Sequence, residues 1–537
     1  MRCKYFGLCV FLATLLTGSV AAQESRHPLD SLSWQEYWTV LEVLQAAGHL
    51  NRDTRFQIVT LQEPDKDVVL AWSPGQAIPR AAFAIVRQQE KAFEARVDVA
   101  AKRLVSWQEI VGAQSSWLAE EYGSVDEVVM ANPDFIAAMK RRGIEDFSLL
   151  DCDASPPGYF ATEEQQGRRI ANFVCHLASA AHNTWSRSIE NLTVVVDMNT
   201  REVLRVVDEG VVPVPPEPAG FDVAALGAPS AAAGAGPVQP GTLQVSQPGG
   251  PGFTLNGEEV EWQNWRFRLR SDQRVGVVVS LVSWHDGDEI RQVMYQGFLS
   301  EIFVPYMDPA FAWFSRNYLD LGEYSVGGLT KPLIRGVDCP DYASYQSALV
   351  TGDNGRPLNR PDMVCLFERE AGDMAWRHGA EDYDRGPEGR KRRDLVVRSA
   401  AVLGNYDYVF DWVFQQDGSI TVAVGATGIV AVKAVVQRNA ADTSTAPADA
   451  YGRFVDQNMV AVNHDHYFNF RLDMDVDGRE NNFIIDRLET QLLPADHPRR
   501  SVWVSKQQLA QREADAQLSM GHDSPELWMV TSSGRKN

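Results

Sequence analysis

Apolar and polar residues alternate along much of the chain, and helical periodicity is confined to short segments. Near the start, Ser33 and Glu36 form a capping-box pattern, which predicts a helix that continues to Gly48. Alternation with a period of two residues then predicts strands at residues 56–61, 68–72, 83–87, 92–99 and 104–107. The next block repeats this plan, with a helix predicted at residues 125–142 and strands at residues 170–177 and 192–207.

The two blocks also resemble one another in sequence. Residues 97–104 align with residues 196–203, and each segment begins with Val-Asp and has an Arg near its end. The alignment predicts two related α+β domains at residues 23–118 and 119–212. Chance similarity between two β-hairpins is the alternative explanation.

The composition changes after the second block. Residues 213–252 are rich in Pro, Ala and Gly, which predicts an interdomain linker. Strand-like alternation resumes in residues 253–537, with a long run at residues 275–284 and a hairpin around Asp417 and Gly418. The predicted fold is therefore two α+β N-terminal domains followed by a large antiparallel β-sandwich.

Composition and charge narrow the classes of partner. The 537 residues are 45% hydrophobic and 23% charged, which is typical of a globular protein with several cores. Lys and Arg number 50 against 71 Asp and Glu, so the net charge is −21. This excess of acidic residues argues against nucleic acid and anionic membranes as partners.

The first 22 residues have the pattern of an export signal. Arg2 and Lys4 precede a short apolar run, and Val20-Ala21-Ala22 forms a small-residue cleavage site. We therefore expect a secreted or periplasmic protein without a membrane-spanning segment. Cleavage would leave an even set of cysteines in an oxidising compartment, which favours two disulfides over free thiols or zinc ligands; these are Cys152, Cys175, Cys339 and Cys365.

The pattern at residues 464–478 suggests metal binding. On a strand, His464 and His466 would share an apolar side, and such a pair is a common chelate for copper or zinc; hydrogen-bonded core histidines are the alternative. The opposite side carries three carboxylates, those of Asp473, Asp475 and Asp477. They are either oxygen ligands for a hard cation or a solvated acidic face. An EF-hand is excluded because Ile484 stands where a loop of that kind needs an acidic residue.

Two aromatic segments are ambiguous when each is taken alone. Every second residue from Tyr406 to Phe414 is aromatic, a pattern that by itself favours a core stripe. Tyr318 and Asp320 would face the same way on a strand, where a carboxylate among aromatic rings would have a raised pKa and suit a general base. A turn aspartate before Gly322 explains the same residue equally well.

Taken together, three segments resemble the copper-containing, quinone-dependent primary amine oxidases, and the resemblance covers most of the chain. The segments are residues 404–408 (Gly-Asn-Tyr-Asp-Tyr), residues 464–466 (His-Asp-His) and residues 318–324 (Tyr-Leu-Asp-Leu-Gly-Glu-Tyr). The resemblance implies a homodimeric enzyme, with the sandwich as its catalytic domain. Its implied reaction converts a primary amine and dioxygen to aldehyde, ammonia and hydrogen peroxide.

The resemblance also implies roles for particular residues. Tyr406 would be the precursor of topaquinone, with Asn405 orienting the quinone and Tyr306 forming a hydrogen bond to it. Asp320 would be the catalytic base and Tyr318 a gate in the substrate channel. His464 and His466 would be two of the three copper ligands. Asp473, the backbone of Met474 and Asp475 would form a second site, for calcium or manganese. The resemblance also implies a disulfide between Cys339 and Cys365. Cys152 and Cys175 are then expected to pair within the second domain.

The chain departs from the family pattern at two points. Val402 stands where the family usually has Thr or Ser, which would change the hydrogen bonding near the quinone. Neither His497 nor His522 has the neighbours expected of the third copper ligand, so the sequence is expected to be cut short before that ligand. Two other readings stay open: a quinone-free secreted binding or assembly protein, and a metalloenzyme that uses only the two histidines.

Overall fold

The structure is a computed structural model, and it describes residues 26–181, 183–218, 244–379, 386–442, 448–518 and 526–535. The predicted export signal and His522 lie outside these residues. Within the described residues, the fold has two small domains, each with one four-stranded antiparallel sheet, followed by a β-sandwich. No helix among the described residues is both long and apolar enough to cross a membrane. The predicted fold class is confirmed.

The first domain packs one amphipathic helix on a four-stranded sheet. Helix α1 (Trp34–Ala46) begins at the predicted capping box, in which Ser33 and Glu36 each accept a backbone N–H. Its buried face, which includes Val40 and Leu44, packs on the sheet. The strands follow chain order: β1 (Thr54–Gln62), β2 (Ala81–Gln88), β3 (Lys91–Asp98) and β4 (Arg103–Glu109).

The predicted strand at residues 68–72 is wrong. This segment belongs to helix α2 (Lys66–Ala71), of which only Val69 is buried. Val69 packs on Leu29 and Tyr295, and the first residues of the helix form ion pairs with the sandwich. These tertiary contacts override the local strand preference of the Val-Val-Leu run.

The second domain has the same plan, with two corrections. The predicted helix at residues 125–142 is two helices, α3 (Asp126–Met130) and α4 (Pro133–Arg141). Pro133 has no N–H to continue α3, and the side chain of Asn132 caps α4. The predicted strand at residues 192–207 is a hairpin. The sheet contains β5 (Leu150–Ser155), β6 (Ile170–Leu177), β7 (Leu192–Asp197) and β8 (Glu202–Asp208).

The two hairpins that align in sequence also share their irregularities. The β3–β4 ladder shifts register between Arg96 and Val97, and the β7–β8 ladder shifts between Val195 and Val196. Lys102 and Arg201, at matching places in the turns, both adopt left-handed backbone conformations with φ of 50° and 57°. The register shift and the left-handed turn residue therefore fall at corresponding positions of the two hairpins.

The sandwich consists of two antiparallel sheets. The seven-stranded sheet contains β9 (Phe253–Asn256), β10 (Glu259–Trp262), β11 (Trp265–Asp272), β12 (Gly276–Asp286), β13 (Glu289–Pro305), β14 (Asn317–Leu319) and β25 (Tyr467–Met474). The facing five-stranded sheet contains β15 (Ser344–Thr351), β16 (Pro357–Arg369), β19 (Asp394–Leu403), β20 (Tyr406–Gln415) and β21 (Ile420–Gly428). Their inner faces meet in an aromatic core, where Phe267 stacks on Phe414 at 4.0 Å between ring centroids.

Smaller elements surround the sandwich. Three short helices flank β14 in the chain: α5 (Phe311–Phe314) precedes it, and α6 (Asp320–Tyr324) and α7 (Val326–Leu329) follow it. The remaining strands among the described residues form three small sheets. The first pairs β17 (Met374–His378) with β18 (Glu388–Lys391), and the second contains β22 (Val432–Ala434), β24 (Met459–Val462) and β23 (Gly452–Asp456). The third contains β27 (Ser501–Leu509), β26 (Asn481–Leu492) and β28 (Glu526–Ser532).

The part of the chain that the structure describes contains two disulfides, one in the second domain and one in the sandwich. Cys152 and Cys175 are bonded across the paired strands β5 and β6. Cys339 and Cys365 are bonded within the core of the sandwich, where both are buried. The second domain is joined to the sandwich by the buried Glu190 carboxylate, which accepts hydrogen bonds from the Trp313 indole and the Ala434 backbone.

Candidate active site

Tyr406 begins strand β20, immediately after a tight turn. Gly404 takes a left-handed conformation in this turn (φ 60°), and Leu403 pairs with Tyr406 across it. The Asn405 side chain donates a hydrogen bond to the Ile429 carbonyl at 2.5 Å. Gly428 lies opposite Tyr406, where a Cβ atom would come within 2.6 Å of the Asn405 carbonyl oxygen. The backbone around Tyr406 is therefore tightly held on both strands.

The Tyr406 side chain contacts the first of the two histidines. Its hydroxyl lies 2.8 Å from Nε2 of His464, and Nδ1 of His464 lies 2.8 Å from the Val462 carbonyl oxygen. Because only a protonated Nδ1 can donate to that carbonyl, Nε2 of neutral His464 accepts from Tyr406. Tyr306 stacks on the other side of His464 at 4.3 Å between ring centroids.

His466 lies beside His464, with 4.9 Å between ring centroids. Its Nδ1 is 2.7 Å from the hydroxyl of Tyr408. The sequence predicts only a place in the aromatic stripe for Tyr408. Burial and the neighbouring His464 lower the pKa of His466, which favours the neutral imidazole that binds metals. Two adjacent imidazoles suit copper, although no group of three or more His, Cys, Asp or Glu residues able to hold a metal occurs in the described part of the chain.

The predicted strand around the two histidines is only partly correct. Strand β25 begins at Tyr467, and His464 instead forms an isolated bridge with Tyr306. The apolar side predicted for residues 464–476 holds through Phe470 but fails at Leu472, which is 50% exposed. The aromatic stripe of β20 is a core stripe, as its pattern favours, and Tyr408 is part of it.

Asp320 is the first residue of helix α6 and is 5% exposed. Burial, with a smaller contribution from the charge of Glu301, raises the pKa of Asp320 to about 7. The carboxylate of Glu301 accepts the backbone N–H groups of Leu321 and Gly322 at 2.7 and 3.2 Å. Asp320 is therefore a buried carboxyl group that is partly ionised at neutral pH, as a general base must be.

Tyr406 and Asp320 line one cavity of about 410 Å³ between the sandwich and the second domain. Tyr306, Tyr318, Asp320 and Tyr406 lie on the sandwich side, together with Val402. The second domain supplies the opposite wall; its lining residues include Tyr122, Asp151, Asp153, Val174, His176 and Trp185. Strand β14 ends before Asp320, so Tyr318 and Asp320 share the cavity without sharing a strand face. A larger cavity of about 760 Å³, between the first domain and the sandwich, lacks this set of tyrosines.

Asp473 and Asp475 do not form a solvated face. Asp475 is 3% exposed, and both carboxylates contact the Lys66 ammonium of helix α2, at 2.8 Å for Asp473 and 2.7 Å for Asp475. Asp477 is instead held by Arg291 at 2.9 and 2.7 Å. Because an ammonium already contacts both carboxylates, the residues present do not fit a calcium or manganese ion at this pair.

Comparison with known proteins identifies the family. The copper amine oxidase enzyme domain matches residues 254–537, and the N3 and N2 domains of copper amine oxidases match residues 120–223 and 27–110. The primary amine oxidase of Klebsiella aerogenes is 36% identical over 88% of this chain, and the copper-containing amine oxidase gamma 1 of Arabidopsis thaliana is 34% identical over 96%. The chain spans 62% of the length of the bacterial enzyme and 73% of that of the plant enzyme.

The fold is also similar to that of a solved structure. The crystal structure of a copper-containing benzylamine oxidase from Hansenula polymorpha matches with a TM-score of 0.77 and 24% identity, over 90% of this chain and 76% of that one. Its likeness concerns the fold, whereas the domain matches and the two relatives concern the sequence. The resemblance drawn from the three segments is confirmed, and the chain belongs to the copper amine oxidase family.

Proposed function

We propose that the protein catalyses the oxidative deamination of primary amines, with copper and a topaquinone formed from Tyr406, and yields aldehyde, ammonia and hydrogen peroxide. The observation that carries this proposal is the contact between the Tyr406 hydroxyl and Nε2 of His464 at 2.8 Å, beside a cavity that also holds the buried Asp320. The family to which the chain belongs uses both cofactors.

His464 and His466 are the residues that would hold copper within this chain. Nδ1 of His464 is hydrogen-bonded to the Val462 carbonyl, so Nε2, beside the Tyr406 ring, is the nitrogen that would bind the metal. When formed, the quinone supplies an electrophilic carbonyl that no standard side chain provides. Asn405, whose side chain donates to the Ile429 carbonyl, would orient that ring, and Tyr306, which stacks on His464, would form a hydrogen bond to it.

Asp320 would accept a proton from the carbon that bears the amine. Its raised pKa, about 7, lets it take the proton at neutral pH and release it later in the cycle. Tyr318 lies on the same cavity wall, and its ring centroid is 6.3 Å from that of Tyr306. This position supports its proposed role at the entrance to the reacting centre.

We also propose an exported homodimer. The pattern of residues 1–22 and the two disulfides favour an oxidising compartment. The sheet of β26, β27 and β28 exposes large apolar side chains, including Trp503 at 74%, Leu492 at 79% and Trp528 at 61%. An exposed apolar surface of this kind is typical of a subunit interface. Light scattering of the purified protein tests this proposal, and a monodisperse monomer would contradict it.

The activity itself is tested by measuring the hydrogen peroxide that forms when an amine is added. Purified protein is incubated with copper and dioxygen, then given tyramine or phenylethylamine. The proposal predicts a visible absorption band, reaction of the protein with phenylhydrazine, and peroxide formed in proportion to ammonia. A copper-loaded protein that stays colourless and forms no peroxide would overturn the proposal.

A further inference from the structure

Lys66 has an unusual environment for a lysine on a short surface helix. It is the first residue of α2, in the first domain, yet its ammonium lies against strand β25 of the sandwich. The Nζ atom is 2.8 Å from Oδ1 of Asp473, 2.7 Å from Oδ1 of Asp475 and 4.6 Å from the centroid of the Tyr295 ring. The Lys66 side chain is only 20% exposed and that of Asp475 only 4%.

The charges around this pair of carboxylates are balanced without a metal ion. Lys66 contacts both carboxylates, and Arg471 lies 3.7 Å from the second oxygen of Asp473. Two anions thus face two cations. A divalent ion at the pair would have to displace Lys66, which would leave an ammonium largely buried and without its anionic partners.

Neighbouring contacts hold helix α2 in the orientation that directs Lys66 to this site. Asp67, the next residue, forms an ion pair of the opposite polarity with Arg479, which follows β25. Val69 is 3% exposed and packs on Leu29 and Tyr295. The contact of Lys66 is therefore one of several between helix α2 and the sandwich, which include ion pairs of both polarities and a buried apolar side chain.

We propose that the Lys66 ammonium is the resident cation of the site formed by Asp473 and Asp475, in place of the calcium or manganese ion that the family resemblance implies. The lysine is covalently part of the chain, so occupancy of this site does not depend on the concentration of free metal. The site then joins the first domain to the strand that follows His464 and His466, and it does so equally well in the presence of a chelator. This inference does not depend on the proposed oxidase activity.

The first test measures the response of the wild-type protein to calcium. Melting temperatures are recorded in calcium chloride and in EGTA, for the wild type and for Asp475→Asn. We expect no difference between the two buffers for the wild type. The larger cavity beside the site is lined by Asp475 and Tyr295, so calcium in solution can reach the pair. A calcium-dependent rise in the wild type that is lost in Asp475→Asn would overturn the proposal, whereas a rise retained in Asp475→Asn arises at another site and agrees with it.

The second test removes the ammonium. Lys66→Met should lower the melting temperature by several degrees in EGTA, because it leaves a buried carboxylate pair with one cation fewer, and Lys66→Arg should retain most of the stability. The matched control is Lys91→Met, since Lys91 forms an exposed ion pair with Glu109 and such pairs contribute little. Equal melting temperatures for Lys66→Met and Lys91→Met would contradict the proposal. If Lys66→Met does not fold, the calcium test on the wild type still decides the question.

Discussion

The Tyr406 hydroxyl and Nε2 of His464 are in hydrogen-bond contact at 2.8 Å, although 58 residues separate them in sequence. Because Nδ1 of His464 is hydrogen-bonded to the Val462 carbonyl, Nε2 is the nitrogen that would bind a metal, and it is the one beside the Tyr406 ring. A second tyrosine, Tyr408, makes the corresponding contact with His466 at 2.7 Å. The two tyrosines therefore form a matched pair for mutation.

Replacement of Tyr406 should abolish the cofactor. Tyr406→Phe removes the hydroxyl and leaves the ring in place, so the variant should fold, bind copper and remain colourless. Peroxide formation from tyramine should fall to background. Absorption spectra after copper loading, with phenylhydrazine as the probe, check this outcome. A coloured Tyr406→Phe protein would show that the quinone arises elsewhere.

Tyr408→Phe is the matched control. Tyr408 is 1% exposed and lies in the core stripe of β20, so its ring should stay where it is without the hydroxyl. We expect the visible band to form in saturating copper, with weaker copper binding because His466 loses its hydrogen-bond partner. Copper titration followed by the band separates the two effects. Loss of the band at saturating copper would make Tyr408, too, a requirement for cofactor formation.

Asp320→Asn should separate cofactor formation from turnover. The variant keeps the shape of the side chain but cannot accept a proton, so the colour should persist while kcat falls on the order of 100-fold or more, as is typical for loss of a general base. In the wild type, the pKa of about 7 predicts that kcat/KM rises with pH, reaches half of its maximum near pH 7 and levels off about one pH unit higher, because the ionised carboxylate is the active form. The pH–rate profile of Asp320→Asn should lack this rise.

Glu323 should destabilise the folded protein at alkaline pH. Burial, and secondarily the charges of Asp320 and Glu301, raise its pKa from 4.5 to about 8. Between these values the folded state binds more protons than the unfolded state, so stability falls as the pH rises. Glu323→Gln can still accept the Leu319 N–H, and it should stabilise the protein at pH 9, by up to about 5 kcal/mol for a pKa raised from 4.5 to about 8, but hardly at pH 4.5. Thermal melts at the two pH values check this, and an equal effect at both would contradict the assigned cause.

The two disulfides should contribute similarly to stability. They join residues 23 and 26 positions apart, and the chain-entropy model gives each loop about 3 kcal/mol. The double variants Cys152→Ala/Cys175→Ala and Cys339→Ala/Cys365→Ala should therefore unfold at lower urea concentrations than the wild type. Peptide mapping without reduction should recover both pairs. A Cys152–Cys365 crosslink in that map would contradict the structure.

Much of the site could be predicted because its chemistry lies in short segments. Tyr406 with Asn405, and His464 with His466, are neighbours in sequence, and the resemblance joined these segments to Asp320 before any distance was known. The cores of the domains followed from apolar periodicity in the same way, as in helix α1, where the capping box fixes the first turn.

The parts that could not be predicted depend on contacts between distant segments. Local preference favoured a strand where helix α2 lies, because the ion pairs of Lys66 with Asp473 and Asp475 cross more than 400 positions of sequence and leave no local signal. The hydrogen bond between Tyr408 and His466 is likewise tertiary. A break in the helix at Pro133 did have a local signal, since proline cannot donate a backbone hydrogen bond.

The cavity is shared between two domains, and this separates the residues proposed to react from those that shape the opposite wall. Tyr406 and Asp320 line the cavity from the sandwich, whereas side chains such as Asp153 and Trp185 line it from the second domain. Glu190 of that domain accepts a hydrogen bond from Trp313, which holds the far wall against the sandwich side of the cavity. Under the proposed function, we expect mutations in the second domain to change which amine fits the cavity, while Tyr406 and Asp320 remain unchanged in the sandwich.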